Sequence, residues 1–217
     1  MNSYGKYGLF SIAVVLFMFT NCYRQNCSEL YREEQTKQQV KVWDFKLVYY
    51  KKTVNYDTPI DKLMDSLQVN DSDLHILVDK SEYTLSLLAG TLLVKQYPVV
   101  LGRNPIDDKL RQGDCCTPEG NFRIKDKYKH EAWSRFIWID YPNAESIKKI
   151  ARAKKAGIIS KDSYPGGEVG IHGVPANTDF LIDTRINWTA GCVSLKNKDI
   201  NEIFKHVMVG TKVIIRK

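Results

Sequence analysis

From residue 74 onwards, short runs of apolar residues alternate with polar ones, a spacing that predicts β-strands. Turn residues separate the runs, and Ala89-Gly90 joins two of them in a predicted hairpin. The predicted strands are His75 to Asp79, Tyr83 to Leu88, Thr91 to Leu101, Asn121 to Ile124, Phe136 to Asp140, Val169 to Gly173 and Thr211 to Ile215. The pattern therefore predicts a mostly β domain.

Three further segments carry apolar residues at helical spacing. Pro59 to Leu67 is the first. The second helix is expected to begin after Asn143, which would cap it, and Gly157 can end it. The third helix is expected to begin at Asn197, as its cap. The outward face of the second helix is basic, which fits either a solvated surface or contact with an anionic wall polymer.

The N-terminus has the pattern of an export signal, with Lys6 before the apolar run Leu9 to Phe19. That run is shorter than the roughly 20 residues that a membrane span needs. Cys22 follows it, as in a bacterial lipoprotein cleavage site, although Asn21 departs from the small residue usual there. Residues 1–21 are predicted to be a signal peptide. Both lipid modification of Cys22 and an uncleaved N-terminal anchor stay open.

Residues 22–70 are polar and mixed, and they predict an N-terminal extension or tether. Trp43 to Tyr50 has strand-type residues but no recognisable chemistry. A turn at Asn70-Asp71 marks the expected boundary, so residues 71–217 are predicted to form the principal domain.

The chain is 43% hydrophobic and 26% charged, which is ordinary for a globular protein, and its net charge is +7. That charge fits either solubility or attraction to an anionic polymer or membrane surface. The basic residues are dispersed and no nucleic-acid-binding motif is present, so we expect no nucleic-acid partner.

The five cysteines lack the spacing of a disulfide framework or a zinc site, and no metal is expected. A mixed metal site is less favoured, and it would use His130, Cys115, His172 and Cys192. For Cys115 and Cys116, two small buried side chains are favoured over a redox pair.

Two compact blocks near the C-terminus carry the candidate chemistry, Ile171-His172-Gly173 and Trp188 to Leu195. Cys192 in the second block becomes a good nucleophile as thiolate, and an imidazole such as His172 is the usual base. The small run Ala190-Gly191 would let a substrate carbonyl approach backbone N–H groups. If each residue is considered alone, the alternative interpretation is that Cys192 is a small buried side chain and His172 a structural residue of the core.

The order of these blocks resembles the L,D-transpeptidase catalytic domain family, also called YkuD, over about residues 71–217. The matching blocks are Ile76 to Asp79, Tyr97 to Gly102, Thr117 to Gly120, Gly166-Gly167, Ile171 to Gly173, Thr189 to Val193 and Gly210 to Val213. The resemblance implies a β-sandwich or barrel with one or two short helices and a small N-terminal extension, with no cofactor. The export signal predicts a location on the periplasmic side of the cell envelope.

Carried over residue by residue, Cys192 would be the nucleophile and His172 its base. Gly173 would orient the histidine through its backbone carbonyl, and the N–H groups of Gly191 and Cys192 would face an oxyanion. Thr189 matches the family's Ser/Thr position and is a candidate substrate contact.

Two departures affect substrate recognition. Many members have His where Ala190 stands, and Arg where Ser194 stands. Because that Arg is a natural partner for a substrate carboxylate, Ser194 is a candidate contact and Arg185 a candidate substitute.

The resemblance implies transpeptidation on peptidoglycan stem peptides, with a Cys192 thioester and cross-links between third residues. The same site could serve an L,D-carboxypeptidase or another cysteine hydrolase of peptidoglycan. The sequence also leaves open a non-catalytic peptidoglycan-binding envelope protein and a redox protein that uses Cys115 and Cys116. Attachment to the envelope or membrane would come through the N-terminus.

Overall fold

A computed structural model describes residues 53–217, and eight strands form its sheet. The strands are β1 (Leu74–Asp79), β2 (Thr84–Ala89), β3 (Leu92–Pro98), β4 (Gly120–His130), β5 (Ser134–Ile139), β6 (Gly170–His172), β7 (Val193–Ser194) and β8 (Lys212–Arg216). Their order across the sheet is β3-β2-β1-β8-β4-β5-β6-β7. The mostly β expectation is confirmed.

The C-terminal strand β8 lies in the middle of the sheet, parallel to β1 and antiparallel to β4. Its burial alternates, and the same alternation in β1 turns one face of each strand towards the core. Strand β4 pairs with β8 through residues 120–123 and with β5 through residues 124–130, with a bulge at Ile124/Asp126. It therefore joins the two halves of the sheet.

The curled sheet closes on itself beyond the end of β3. Val100 donates to the carbonyl of Ser194 at 2.9 Å and accepts from its N–H at 2.8 Å. This bridge fixes β7, the shortest strand, to the far edge of the sheet.

Between residues 53 and 217 the α-helices are α1 (Ile60–Leu67), α2 (Ala144–Lys155), α3 (Phe180–Asp183) and α4 (Asn197–His206). The expected cap of α2 is present, because the Asn143 side chain accepts from Ser146 N–H at 3.0 Å. The cap position of α4 is Lys196, so the prediction that Asn197 caps it is wrong by one residue.

Helix α1 belongs to the packed domain. Ile60 and Met64 are buried in the same core cluster as strand residues such as Ile76 and Val213. The apolar face of α1 needs the core to cover it, so this helix packs with the domain although it precedes residue 70, where the domain boundary stays a prediction.

Residues 1–52, including the predicted signal, Cys22 and the strand-type run Trp43 to Tyr50, lie outside the described residues. Between residues 53 and 217, no helix combines the length and the apolar character needed to cross a membrane.

Candidate active site

Strands β6 and β7 bring the two sequence blocks together. They run parallel, with Ile171 opposite Val193 and His172 opposite Ser194. Side chains alternate between the faces of a strand, so His172 and Ser194 share a face. Cys192 directly precedes β7, two residues before Ser194.

The sulfur of Cys192 meets the chain as it enters β6. Its thiol donates to the carbonyl of Glu168 at 3.7 Å, and the residue is partly exposed. Burial raises the pKa of the Cys192 thiol to about 11, and the nearby Glu168 carboxylate adds to this. A hydrogen bond from the Gly170 backbone and the charge of Lys109 act in the opposite direction.

The imidazole of His172 is 1% exposed and is held through one nitrogen. Its Nδ1 lies 2.7 Å from the Gly173 carbonyl. Because a carbonyl only accepts, Nδ1 carries the proton and Nε2 is left as the base. Burial lowers the pKa of His172 to about 4, partly offset by this hydrogen bond.

Aromatic rings surround the imidazole. Trp133 stacks on it with centroids 4.4 Å apart, Phe136 lies parallel at 5.8 Å, and Trp188 presents an edge at 5.5 Å. His130 also stacks on Trp133, at 4.3 Å. The role of these rings was missed in the sequence, where the aromatic density of residues 128–141 was the available signal. They keep water away from the base.

Ser194 does not face a substrate in this structure. It is fully buried, and its hydroxyl donates to the Gly173 carbonyl at 3.2 Å. The predicted substrate contact is therefore corrected to a support for the carbonyl that holds His172. Such a contact was invisible in the sequence, because it depends on the pairing of β6 with β7.

Thr189 and Gly191 also differ from expectation. The Thr189 hydroxyl is buried, donates to the Cys192 carbonyl at 2.7 Å and accepts from Gly191 N–H at 3.2 Å. Thr189 therefore shapes the turn before the thiol instead of contacting substrate. Gly191 N–H is already engaged, which removes it as a ready oxyanion donor.

The remaining candidates occupy separate places. The Arg185 guanidinium lies over the Tyr83 ring, 5.4 Å from its centroid, and its role towards substrate stays a prediction. Cys115 and Cys116 are free and buried, and burial raises the pKa of the Cys116 thiol to about 12. Within the described part of the chain, no three His, Cys, Asp or Glu side chains are grouped to hold a metal ion.

The site combines a partly exposed thiol, an oriented neutral imidazole and a tight backbone turn. At neutral pH both the Cys192 thiol and His172 are uncharged, because their pKa values lie far on either side of 7. The arrangement suits a reaction in which the proton leaves sulfur as sulfur attacks a carbonyl.

Comparison with known proteins gives one family. The model of the L,D-transpeptidase catalytic domain, YkuD, matches residues 73–215. The sequence has no significant match among curated proteins.

The solved structures to which this chain is similar include three proteins, all below 25% identity. The helical cell shape determining protein Pgp2 from Campylobacter jejuni has a TM-score of 0.50 at 18% identity, over 73% of this chain and 55% of its own. Bd1075 from Bdellovibrio bacteriovorus has a TM-score of 0.47 at 20% identity, over 66% and 48%. An L,D-transpeptidase from Mycobacterium smegmatis has a TM-score of 0.45 at 12% identity, over 67% and 59%. The chain thus spans about half the length of these structures.

Proposed function

Because the chain belongs to the L,D-transpeptidase catalytic domain (YkuD) family, we propose that it is a cysteine acyltransferase acting on peptidoglycan stem peptides. Cys192 is the nucleophile and His172 the base. The observation that carries the proposal is the hydrogen bond from His172 Nδ1 to the Gly173 carbonyl, on a strand paired with the one that begins directly after the partly exposed Cys192.

In the first half-reaction the Cys192 proton passes to His172 Nε2 while sulfur attacks the carbonyl of the third stem residue. The tetrahedral intermediate collapses as its C–N bond breaks. The terminal D-Ala amine leaves with the proton from His172, and a thioester remains on Cys192.

In the second half-reaction an amine of another stem attacks the thioester and gives its proton to His172. The C–S bond breaks, the thiolate recovers the proton, and a cross-link between third residues is released. Water in place of the amine would give a shortened stem, which is the outcome for an L,D-carboxypeptidase.

The burial of His172 supports a proton transfer concerted with attack. An ion pair formed in advance would place a charged imidazolium among the rings of Trp133, Phe136 and Trp188. The neutral pair avoids that cost until the substrate carbonyl is in place.

The deciding experiment treats isolated cell wall with the purified full chain, then digests the wall and resolves the fragments by mass. Dimers linked between third residues support the transferase, and shortened stems indicate the carboxypeptidase. Unchanged fragments with wall-bound protein would indicate a non-catalytic binder and contradict the proposal.

A carbapenem provides a direct test of the nucleophile, because its strained carbonyl acylates an activated thiol. We expect one adduct in the intact mass of the wild type and none in Cys192→Ala. Cys115→Ala and Cys116→Ala are matched controls, since both thiols are buried away from solvent. An adduct that persists in Cys192→Ala would overturn the assignment.

We also propose that the protein acts outside the cytoplasm, on the periplasmic side of the envelope, where its substrate lies. The sequence pattern of residues 1–21 and Cys22 supports this proposal. N-terminal mass analysis of the protein from membranes tests it: a lipid-bearing Cys22, a cleaved end or a retained anchor each fits export. A full-length chain found in the cytosol does not.

A further inference from the structure

A buried ammonium group lies behind the turn that carries the proposed nucleophile. Lys109 is 4% exposed, although lysine is among the residues least often buried. A Cβ atom built on Gly191 would lie 3.7 Å from Lys109 Nζ, so the charge is next to the residue that precedes Cys192. Nothing in the sequence around Lys109 singled it out.

The loop around Lys109 is anchored by Asp114. Lys109 Nζ donates to Asp114 Oδ1 at 2.8 Å and to the Arg111 carbonyl at 3.2 Å. Asp114 Oδ2 accepts from the N–H groups of Leu110 and Arg111, both at 2.8 Å, and Oδ1 accepts from Cys116 N–H at 3.1 Å. These bonds fix the direction in which the lysine side chain extends.

The same loop is pressed directly against the turn. A Cβ on Gly191 would come within 2.7 Å of the Cys116 carbonyl, and Gly191 has a φ of +141° that favours glycine. A Cβ on Gly102 would come within 2.1 Å of the Cys115 carbonyl and 3.1 Å of Gly191 Cα. Backbone therefore meets backbone here, which keeps the loop against the turn that precedes Cys192.

The position matters because ionisation of Cys192 is opposed by its surroundings. Burial and the Glu168 carboxylate both raise the pKa of the thiol, whereas the charge of Lys109 lowers it. A buried ion pair contributes little net stability compared with apolar residues of the same shape. A role in charge stabilisation at the turn gives the lysine a reason to be there.

We propose that Lys109 is a positioning residue whose ammonium stabilises the negative charge that Cys192 develops during attack. The Asp114 carboxylate holds this ammonium in place and partly neutralises its charge. The inference rests on the proposed function only in taking Cys192 as the nucleophile.

The test is the rate at which iodoacetamide alkylates Cys192 in the full chain, followed from pH 7 to pH 9 by peptide-resolved mass. The thiolate displaces iodide to form an S–C bond, so the rate follows the thiolate fraction. For Lys109→Met we expect a rate roughly tenfold lower at each pH, since a buried charge at this range shifts ionisation by roughly one pH unit. Lys109→Arg should stay within about twofold of the wild type.

Asp114→Asn supplies a test of sign. Removing the carboxylate leaves the ammonium uncompensated, so alkylation should become faster, whereas Lys109→Met makes it slower. Damage to the loop would move both rates in one direction, and that result, or an unchanged rate in Lys109→Met, would overturn the proposal. If Lys109→Met does not fold, the direction of the Asp114→Asn change decides.

Alkylation needs no peptidoglycan, so this test and the wall digest fail independently. Normal alkylation shifts with no cross-linked or shortened stems would leave Lys109 in its role and remove the proposed reaction. Cross-linking with unshifted alkylation would do the reverse.

Discussion

At the scale of single residues, the neutral imidazole of His172 makes stability depend on pH. Burial holds its pKa at about 4, below the ordinary value of 6.5. Below pH 6.5 His172 becomes protonated in the unfolded chain, whereas in the folded chain it stays neutral down to about pH 4. The free energy of unfolding therefore has its full contribution from His172 above pH 6.5. This contribution falls as the pH is lowered, by about 3 kcal/mol once His172 is protonated in both states.

We expect the wild type to lose about 2 kcal/mol more than His172→Gln in free energy of unfolding between pH 7.5 and pH 5. Urea denaturation at the two pH values measures this. The comparison with the variant is needed because Asp199, whose pKa burial raises to about 6, titrates in the same range with the opposite sign. Equal losses in the two proteins would mean that the fold leaves the pKa of His172 at its ordinary value.

Gly173 is a second residue of interest, because its surroundings leave no room for a side chain. A Cβ there would come within 2.2 Å of Asn197 Oδ1 and 2.7 Å of the Trp133 carbonyl, which accepts from Gly173 N–H at 3.1 Å. We expect Gly173→Ala to lower the free energy of unfolding by about 1–3 kcal/mol and to slow carbapenem acylation.

Gly167→Ala is the matched control, because nothing lies within 4 Å of a Cβ at that position. Denaturation curves and intact-mass kinetics of the two variants give the comparison. Similar behaviour in both would mean that the Gly173 carbonyl is not held in place by its neighbours.

Residue identity was enough to single out Cys192 and His172, because their chemistry is rare and their blocks are compact. It was not enough for Lys109, whose proposed role rests on a contact across the fold, or for Ser194, which donates to the Gly173 carbonyl. The sequence places Lys109 in a polar loop, where a lysine is ordinarily solvated.

At the scale of elements, hydrophobic periodicity and capping residues were enough to predict strands and helices with a repeated pattern, such as β1 and α2. The two-residue strand β7 and the four-residue helix α3 are too short to show a period, and they were missed. The predicted strand Asn121 to Ile124 is much shorter than β4, because the later residues of β4 are exposed and polar. Pairing with β5 extends that strand.

A carboxylate on α4 ties three elements together. Glu202 accepts from Lys95 Nζ at 2.8 Å and from the Tyr97 hydroxyl at 2.9 Å, both on β3, and from Ile60 N–H at 2.8 Å on α1. Lys95 is 3% exposed, so water does not solvate its charge and the carboxylate must compensate it. Glu202→Gln should lower the free energy of unfolding by about 1–3 kcal/mol, as measured in urea, because the Glu202 side chain is partly exposed.

The double variant Lys95→Met/Glu202→Met removes both charges and is the control for this prediction. It should cost less than Glu202→Gln alone, because no buried charge is left unpaired. A double variant that is less stable than the single one would show that the hydrogen bonds to Tyr97 and Ile60, not the ion pair, hold these elements together.

At the scale of the whole molecule, the position of the Cys192 thiol depends on the closure of the sheet. Strand β7 is only two residues long, yet β6 holds it on one side and Val100 on the other. Val100 and Ser194 are far apart in sequence, so no local pattern could predict their pairing. The candidate residues were thus predictable, whereas their arrangement required the fold.

The net charge of +7 is also a property of the whole molecule, and part of it lies where α2 faces solvent. Lys148, Arg152 and Lys155 are exposed on that helix. We expect the charge reversal Lys148→Glu/Arg152→Glu/Lys155→Glu to weaken binding of the full chain to isolated peptidoglycan in a pull-down at low salt. Stem carboxylates attract a basic surface, and salt screens that attraction.

A reversal of three exposed lysines elsewhere, Lys62→Glu/Lys205→Glu/Lys217→Glu, changes the net charge by the same amount and is the control. If α2 orients the domain on the wall, its variant should lose more binding than the control, and the difference should shrink as salt is added. Equal losses would mean that the overall charge alone draws the protein to its polymer. In that case the basic face of α2 is only a solvated surface.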